Sequence, residues 1–386
     1  MAQEVLDCST YPMVGGDGPH SYARNSNYQK ESLDSAKQMM NELIDQHLDP
    51  GNHLYSFNPG NSSFRVADFG CSVGPNTFRA VHNIIEAVEN KYKSLPVETQ
   101  MPEFHVFFND HVNNDFNTLF RNLPATGRYF ASGVPGSFYG RLLPSSTLHF
   151  AHCSTALHWL SKIPVEVMDK NSPAWNKGRI CYSGAAKEVK DAYSTQFGKD
   201  IDSFLRARAQ ELVPGGLMML VADGLPDDVQ MCESSIGENL NVLGSCFLDL
   251  AKMGMIAQEM VDSFNLPFYY PSPSELKTLI EVNGLFEIKK IEKLDSSSAK
   301  KGVQLDVDVC ILHMRAVLGE LVEKHFGEGV IDILFERHRQ KYIENPILSD
   351  ERYIKDASYV VFLKRKIKVT YSEEIPYDQL TKLGLV

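Results

Sequence analysis

The fold is decided by one stretch in the first quarter of the chain, Phe64-Arg65-Val66-Ala67-Asp68-Phe69-Gly70-Cys71-Ser72-Val73-Gly74-Pro75-Asn76-Thr77. Its apolar beginning predicts a short strand, its glycines predict a tight turn, and Asn76 and Thr77 are suited to opening a helix. In open α/β sheets, ligands bind outside the carboxyl ends of the strands, where the next helix presents backbone N–H groups. The stretch therefore predicts a nucleotide-like cofactor at this edge of the sheet.

The glycine spacing in this turn narrows the choice of cofactor. Gly70 and Gly74 are separated by three residues, whereas the dinucleotide fingerprint is G-x-G-x-x-G. We therefore expect a ligand without a pyrophosphate, and S-adenosylmethionine is the first candidate. The missing fingerprint also argues against an NAD-dependent oxidoreductase, which is the competing enzyme class for such a sheet.

Strand and helix signals alternate on both sides of the turn, which is typical of a doubly wound sheet. The predicted helices of the sheet region and its N-terminal flank are 25–47, 76–92 and 199–212, and the predicted strands are 65–69, 103–108, 147–153, 216–221, 286–294 and 358–366. The run Pro214-Gly215-Gly216 is expected to be a turn that ends the third helix. From 226 to 343 the pattern is chiefly helical.

These signals predict an α/β fold with a doubly wound, Rossmann-like sheet and a helical cap. We expect the cofactor-binding core at residues 60–225 and 355–366. The cap, which would form the substrate pocket, is expected at 1–59 and 226–354. Residues 367–386 are predicted to be a tail with weak periodicity.

Composition excludes several classes of partner. The chain has 386 residues and a net charge of −11, which argues against nucleic acid or an anionic membrane. Its seven cysteines form no C-x-x-C pair, so neither a zinc nor a redox motif is indicated. No signal peptide is evident, and no apolar run approaches the roughly 20 residues that span a bilayer. We expect a cytoplasmic protein with reduced thiols.

Acidic residues stand at the ends of two predicted strands. Asp110 follows the second strand, where an acid accepts hydrogen bonds from ribose hydroxyls in nucleotide-binding sheets. The alternative is that Asp110 caps a helix over 113–120, and that Asp68 bonds its own turn. The loop Val134–Tyr139 offers a hydroxyl and two rings, which suit adenine stacking and a sulfonium cation. Its alternative is a surface turn whose rings belong to the core.

Candidate substrate contacts follow the strand 147–153. Trp159 has an indole N–H that only donates, and His158 can donate from either ring nitrogen. Together with the amide of Gln29, these groups could hold an anionic oxygen. The alternative is that Trp159 is a core aromatic residue and His158 its satisfied polar neighbour.

Two loops carry oxygen ligands suited to a hard cation. Asn176 lies in one of them, and Asp262-Ser263-Phe264-Asn265-Leu266-Pro267 forms the other. Carboxylate and amide oxygens suit magnesium. Asp and Asn before a proline are also ordinary turn chemistry, which is the alternative.

The chain contains neither a G-x-S-x-G elbow nor an H-E-x-x-H helix. Methyl transfer needs neither, because a carboxylate with a pKa of about 4 is ionised at neutral pH and attacks directly. The protein then has to align the oxygen, the methyl carbon and the sulfur. The candidate residues fit such a transfer.

A series of motifs occurs in a fixed order: Gly15-Gly16, Ser21–Ser26, Ala67–Ser72, Gly74–Thr77, Phe108–Asp110, Asn113–Asn117, Gly133–Phe138 and Leu157–Leu160. In this order they resemble the plant SABATH family of carboxyl and N-methyltransferases over nearly the whole chain. The resemblance implies an α/β methyltransferase core with a helical cap, S-adenosylmethionine as cofactor, and a homodimer.

The resemblance also implies roles for individual residues. Cofactor contacts are implied at Tyr22, Asp68, Cys71, Asn76, Asp110, His111, Ser137 and Phe138. Substrate contacts are implied at Gln29, Thr155, His158 and Trp159, with Gln29, His158 and Trp159 as the catalytic set and Gln29 and Trp159 tethering a carboxylate. A magnesium ion is implied near Asn176, Asp262, Asn265 and the backbone carbonyl of Phe264.

The predicted function is therefore methylation of the carboxylate of a small plant metabolite, and an iridoid acid such as loganic acid is one candidate. The alternative is the same transfer to an enol, a phenol or a ring nitrogen, with His158 as the base. A binding protein that has lost catalysis is a third hypothesis, against which the retained Gln29, His158 and Trp159 argue. Two departures from the family concern the substrate: Thr155 stands where many relatives have Tyr, and Val14 where several have a basic residue.

Overall fold

The structure is a computed structural model that describes residues 12–50, 63–95, 101–125, 127–294, 306–344 and 356–367. In these ranges the strands are β1 Ser63–Phe69, β2 Glu103–Asp110, β3 Phe130–Pro135, β4 Leu148–Ser154, β5 Leu212–Gly224, β6 Phe286–Lys293 and β7 Ala357–Arg365. The α-helices are α1 Asn27–His47, α2 Pro75–Lys93, α3 Phe116–Arg121, α4 Lys187–Glu211, α5 Ser235–Lys252, α6 Gln258–Ser263, α7 Pro273–Asn283, α8 Val307–Phe326 and α9 Val330–Glu344. Nearly all of the predicted tail, from residue 368 on, lies outside the described residues.

The seven strands form one sheet in the order β3-β2-β1-β4-β5-β7-β6. β1 pairs in parallel with β2 on one side and β4 on the other, whereas β7 runs antiparallel between β5 and β6. The chain moves outward from β1 to β3 and then returns to β4, so the direction of strand order reverses at β1. Such a reversal opens a crevice at the carboxyl ends of the strands, and this crevice is where sheets of this type bind ligands.

Helices cover both faces of the sheet. Val66 of β1 belongs to an apolar core that includes Ile44 of α1 and Ile84 of α2. Phe69 faces the other side, where its ring meets Phe204 of α4 edge to face. That second core continues without a break into α5, α8 and α9. The helical cap therefore shares its core with the sheet, which fixes the cap over the strand ends.

The predicted α/β fold is confirmed, and every predicted strand is present, with somewhat different ends. One strand, β3, was not predicted. Its residues are exposed or half-buried at the edge of the sheet, so the sequence carries no apolar run there. Val134 and Pro135, expected in a loop, end this strand.

The expectation for Pro214-Gly215-Gly216 was wrong, because these residues lie inside β5. Pairing with β4 passes from Leu148↔Leu212 to Phe150↔Leu217, so residues 213–216 bulge against one residue of β4. A bulge accommodates a proline, which has no N–H for the ladder, and a glycine at φ +78°. The preceding helix, α4, also begins at Lys187 rather than 199.

Candidate active site

A cavity of about 820 Å³ opens at the carboxyl ends of the strands. Its wall combines the turn after β1, the end of β2, the loop after β3 and the segment after β4, and the cap closes it from α1, α5 and α8. Predicted site residues on the wall are Tyr22, Gln29, Asp110, His111, Ser137, Phe138, Thr155, His158 and Trp159. The fold thus brings together the predicted cofactor end and the predicted substrate end in one space.

The backbone of the turn after β1 is left-handed at two residues, Gly70 and Ser72. Gly70 has φ +79°, and a Cβ there would lie 2.7 Å from the Cβ of Ala156. The N–H groups of Gly70 and Cys71 both donate to the carbonyl of Asn109, at 2.9 and 3.0 Å. Ser72 also has a positive φ, +50°. Left-handed backbone at a non-glycine residue costs energy and is characteristic of functional sites.

Asp110 holds this turn from the neighbouring strand. One carboxylate oxygen accepts the N–H of Ser72 at 2.7 Å, and the other accepts the N–H of His111 at 2.8 Å. Removal from water raises the pKa of Asp110, and these two hydrogen bonds oppose that rise. The alternative role for Asp110 was wrong, since Asp115 caps the following helix, α3, through the N–H of Thr118.

Three residues expected at the cofactor, Asp68, Cys71 and Asn76, are absent from the cavity wall. Asp68 is buried, with one oxygen 2.5 Å from Oγ1 of Thr77 and the other 2.7 Å from Nδ1 of His152. Asn76 donates to the carbonyl and the hydroxyl of Ser26, and Cys71 is buried beside them. The Asn76 contacts link the start of α2 to the residue before α1, and the Asp68 contacts link the end of β1 to α2 and β4. Direct contact of these three side chains with a cofactor stays a prediction.

A buried ion pair that the sequence did not reveal supports the loop after β3. Arg208 of α4 donates to the carbonyls of Phe138 and Gly140, at 2.7 and 3.0 Å, and to Glu211 at 2.7 Å. Its guanidinium also lies 4.0 Å from the centre of the Phe69 ring. The spacing of Arg and Glu by three residues, next to the apolar residues Phe204, Leu205 and Ala209, was the available signal. The pair positions Phe138, the predicted adenine contact.

The acceptor end of the cavity is built from aromatic rings and hydrogen-bond donors. Trp159 packs edge to face on Phe268, with ring centres 4.2 Å apart, and its backbone carbonyl accepts from Tyr139. His158 stacks on Tyr270 at 5.3 Å. Burial lowers the pKa of His158 to about 3, so its ring is neutral at physiological pH. Gln29 is buried, and its Oε1 has no partner among the described residues.

Asp223, at the end of β5, is a further residue on the cavity wall that sequence reasoning missed. Oδ1 of Asp223 accepts from Ser358 at 2.9 Å and from Tyr28 at 3.3 Å. Oδ2 lies 3.5 Å from Nδ1 of His158. Burial raises the pKa of Asp223 to about 7. Its place at a strand end in the sheet was a signal of the same kind that identified Asp110.

Two of the predicted cation ligands, Asn176 and Asn265, contact each other away from the cavity wall. Nδ2 of Asn176 donates to Oδ1 of Asn265 at 2.8 Å, and both side chains are buried. Oδ1 of Asn176 has no hydrogen-bond partner in the described part of the chain, so one buried oxygen is available to a cation. Asp262 is half-buried and accepts from Gln258. This oxygen donor set fits the chemistry of magnesium.

Comparison with known proteins agrees with the fold. A family model described as SAM-dependent carboxyl methyltransferase matches residues 9–366. The chain is 49% identical over 357 residues to a loganic acid O-methyltransferase of Catharanthus roseus, covering 92% of this chain and 94% of that protein. It is 44% identical over 328 residues to paraxanthine methyltransferase 2 of Arabidopsis thaliana, covering 84% and 90%.

A solved structure of loganic acid methyltransferase with SAH superposes with a TM-score of 0.87 at 49% identity, covering 92% of this chain and 99% of that one. The chain therefore belongs to the SAM-dependent carboxyl methyltransferase family. This membership confirms the SABATH resemblance, the methyltransferase fold and S-adenosylmethionine as cofactor. No helix in the described ranges is long and apolar enough to cross a membrane.

Proposed function

We propose that the chain methylates the carboxylate of a small plant acid at the Gln29–Trp159 end of the cavity. The observation that carries this proposal is that this end of the cavity offers hydrogen-bond donors to an anion, while its histidine is a poor base. This end offers an amide and an indole N–H, while the pKa of His158, about 3, is too low for His158 to serve as a base at neutral pH. An acceptor that relies on His158 alone has to arrive ionised, as a carboxylate does.

S-adenosylmethionine, when bound, supplies an electrophilic methyl group on a sulfonium. The work of the chain is then to hold the acceptor oxygen in line with that group. Gln29 and Trp159 would donate to the carboxylate, and Phe268 keeps the indole ring in place. Because the acceptor is already charged, no proton has to move. Alignment of this kind contributes up to roughly 7–11 kcal/mol to a bimolecular step.

An iridoid acid is the first substrate to test, because the relative from Catharanthus roseus is named for loganic acid. Identity alone does not choose the acceptor, since a relative at 44% identity is named for paraxanthine, which has no carboxyl group. Transfer to a ring nitrogen or an acidic hydroxyl is therefore the second candidate. That reading requires a proton acceptor, and Asp223, with a pKa of about 7, is the group on this wall that suits it.

The proposal is tested by incubating the protein with S-adenosylmethionine labelled in the methyl group and a panel of acceptors. The panel contains iridoid, jasmonate, benzoate, indole-acetate and terpenoid acids, and a xanthine. We expect label to be transferred to at least one acid. Transfer to the xanthine alone, or retention of label by the cofactor throughout, would overturn the proposal.

We further propose that Asn176, Asp262, Asn265 and the carbonyl of Phe264 hold a magnesium ion. The partnerless, buried Oδ1 of Asn176 supports this assignment. The ion would act as a structural link between the loop at 176 and the end of α6. An increase of the melting temperature with Mg²⁺ that is lost in Asn176→Leu supports the site. A wild-type melting temperature that does not change with Mg²⁺, or an equal increase in the two proteins, contradicts it.

From the family resemblance we also propose a homodimer. From the odd number and wide scatter of the cysteines we propose a cytoplasmic protein with reduced thiols. Light scattering after size exclusion measures the first property, and a mass equal to one chain would contradict it. Fluorescence microscopy of the tagged chain in leaf cells measures the second, and an organellar signal would contradict it.

A further inference from the structure

Asp223 and His158 lie next to each other, and one proton is carried either by the carboxyl group of Asp223 or by Nδ1 of His158. Oδ1 of Asp223 is occupied by the hydroxyls of Ser358 and Tyr28, whereas Oδ2 faces Nδ1 of His158 at 3.5 Å. Nδ1 is buried and makes no hydrogen bond among the described residues, Asp223 included, because the 3.5 Å approach of Oδ2 is longer than an ordinary hydrogen bond. Either Asp223 is a carboxylate beside an Nδ1–H, or it is a carboxylic acid facing a bare Nδ1.

The surroundings favour the neutral acid. The titratable groups that act on this pair are Tyr22, Tyr28, Tyr270, Asp356 and His313. These are phenols, a second buried carboxyl and a histidine whose pKa is lowered by burial. Lys293 lines the same cavity but forms no ion pair with Asp223. A buried carboxylate without a cationic partner is costly, so its proton is retained.

We propose that Asp223 is a positioning residue that, as a neutral carboxylic acid, donates its proton to Nδ1 of His158 and thereby makes His158 present Nε2–H to the acceptor carboxylate. The two nitrogens of a neutral imidazole have opposite roles, and the partner of one sets the role of the other. This inference rests on the proposed function, because it concerns how the acid acceptor is held.

Ionisation of Asp223 would reverse the arrangement. The carboxylate would accept from Nδ1–H, which leaves Nε2 as an acceptor facing the negatively charged substrate. Asp223 would also bring a second negative charge to the same end of the cavity. Acceptor binding is therefore expected to weaken as the pH rises through the pKa of Asp223, about 7.

The first test is the pH dependence of kcat/KM for the best acid acceptor, which reports groups of the free enzyme. In the wild type we expect kcat/KM to fall by up to about tenfold per pH unit above the break. Asp223→Asn keeps an oxygen for Ser358 and Tyr28 and a donor for His158, so this variant should show no break and should exceed the wild type at about pH 8.5. Asp356→Asn, the matched buried carboxyl without a contact to His158, should retain the break.

A second measurement depends neither on the folding of Asp223→Asn nor on catalytic turnover. Nitrogen-15 NMR of the imidazoles in the wild-type chain, with the His158 signals identified by their loss in His158→Gln, reports which nitrogen carries hydrogen. We expect a protonated Nε2 and a bare Nδ1 at about pH 6. The opposite tautomer overturns the inference, as does a loss of activity of more than about 100-fold at every pH in Asp223→Asn, which would make Asp223 a base. Failure of every acid to be methylated would overturn the proposed function, while the tautomer would still test the Asp223–His158 contact.

Discussion

Oδ2 of Asp110 accepts the backbone N–H of Ser72 at 2.7 Å, which ties the end of β2 to the turn after β1. The carbonyl of Asn109 receives two more N–H groups from the same turn. The strained Ser72 backbone is therefore held by the neighbouring strand. The predicted cofactor end of the cavity is thus held in shape by contacts within the chain.

Asp110→Asn should weaken binding of S-adenosylhomocysteine by about 10- to 100-fold, because hydrogen bonds to a charged group contribute about 1.5–3 kcal/mol. The amide would present a donor to the N–H of Ser72 or of His111. Isothermal titration calorimetry measures the effect. Asp332→Asn is the control for the lost charge, because the side chain of Asp332 is 80% exposed on α9. Equal affinities of the two variants would contradict the role of Asp110.

Arg208→Met should lower the free energy of unfolding by about 3–5 kcal/mol, because it leaves the charge of Glu211 buried without its partner. Urea denaturation measures this. Arg206→Met on the same helix removes a pair with Asp202 whose side chains are 26% and 42% exposed, so solvent screens the pair and the loss should be about 1 kcal/mol or less. Similar losses in the two variants would show that Arg208 does not anchor the loop.

Gln29→Glu should reduce kcat/KM for an acid acceptor by more than about 100-fold, since a carboxylate would face the carboxylate of the substrate. The affinity for S-adenosylhomocysteine should stay within about twofold, because Gln29 lies at the other end of the cavity. Initial rates and calorimetry check the two parts. Gln38→Glu, on an exposed turn of the same helix, controls for added charge. An unchanged kcat/KM in Gln29→Glu would remove Gln29 from the acceptor site.

The free energy of unfolding should decrease below about pH 6.5 because of His338. This residue is buried in α9, and neither of its ring nitrogens has a hydrogen-bond partner among the described residues. Burial lowers its pKa from 6.5 to about 4. The unfolded chain therefore binds a proton between these values that the folded chain does not, and stability is lost as the pH falls from about 6.5 toward 4.

The loss contributed by His338 reaches about 3 kcal/mol at the lower limit. Urea denaturation at several pH values should show a shallower acid slope in His338→Leu than in the wild type. His20→Gln, at an exposed position, should keep the wild-type slope. Parallel curves for wild type and His338→Leu would contradict the assignment.

The elements that the sequence predicted well are those in which pattern and packing agree. β1, β2 and β4 are buried strands with apolar runs, and the turn at Gly70 requires glycine for a local reason. β3 escaped prediction because an edge strand needs no apolar run. The bulge in β5 escaped because Pro214-Gly215-Gly216 is also a normal turn sequence, and only pairing with β4 distinguishes the two.

Site residues at strand ends could be predicted from the sequence, whereas site residues defined by distant partners could not. Residues that follow strands, such as Asp110 and Trp159, were found because topology brings strand ends together. Arg208 and Asp223 were missed because their roles depend on partners far away in the sequence, Phe138 for the first and His158 for the second. Contacts between residues so far apart in the sequence are visible only in the folded structure.

Alkaline hydrolysis of the methylated product tests the central claim most directly. After reaction with labelled S-adenosylmethionine and the best acceptor, mild base should release nearly all of the label as methanol, because a methyl ester is cleaved whereas a methyl group on nitrogen or on an aryl oxygen is retained. Release of the label is the result predicted for a carboxyl methyltransferase. Label that stays on the product after hydrolysis would contradict the assignment of the acceptor.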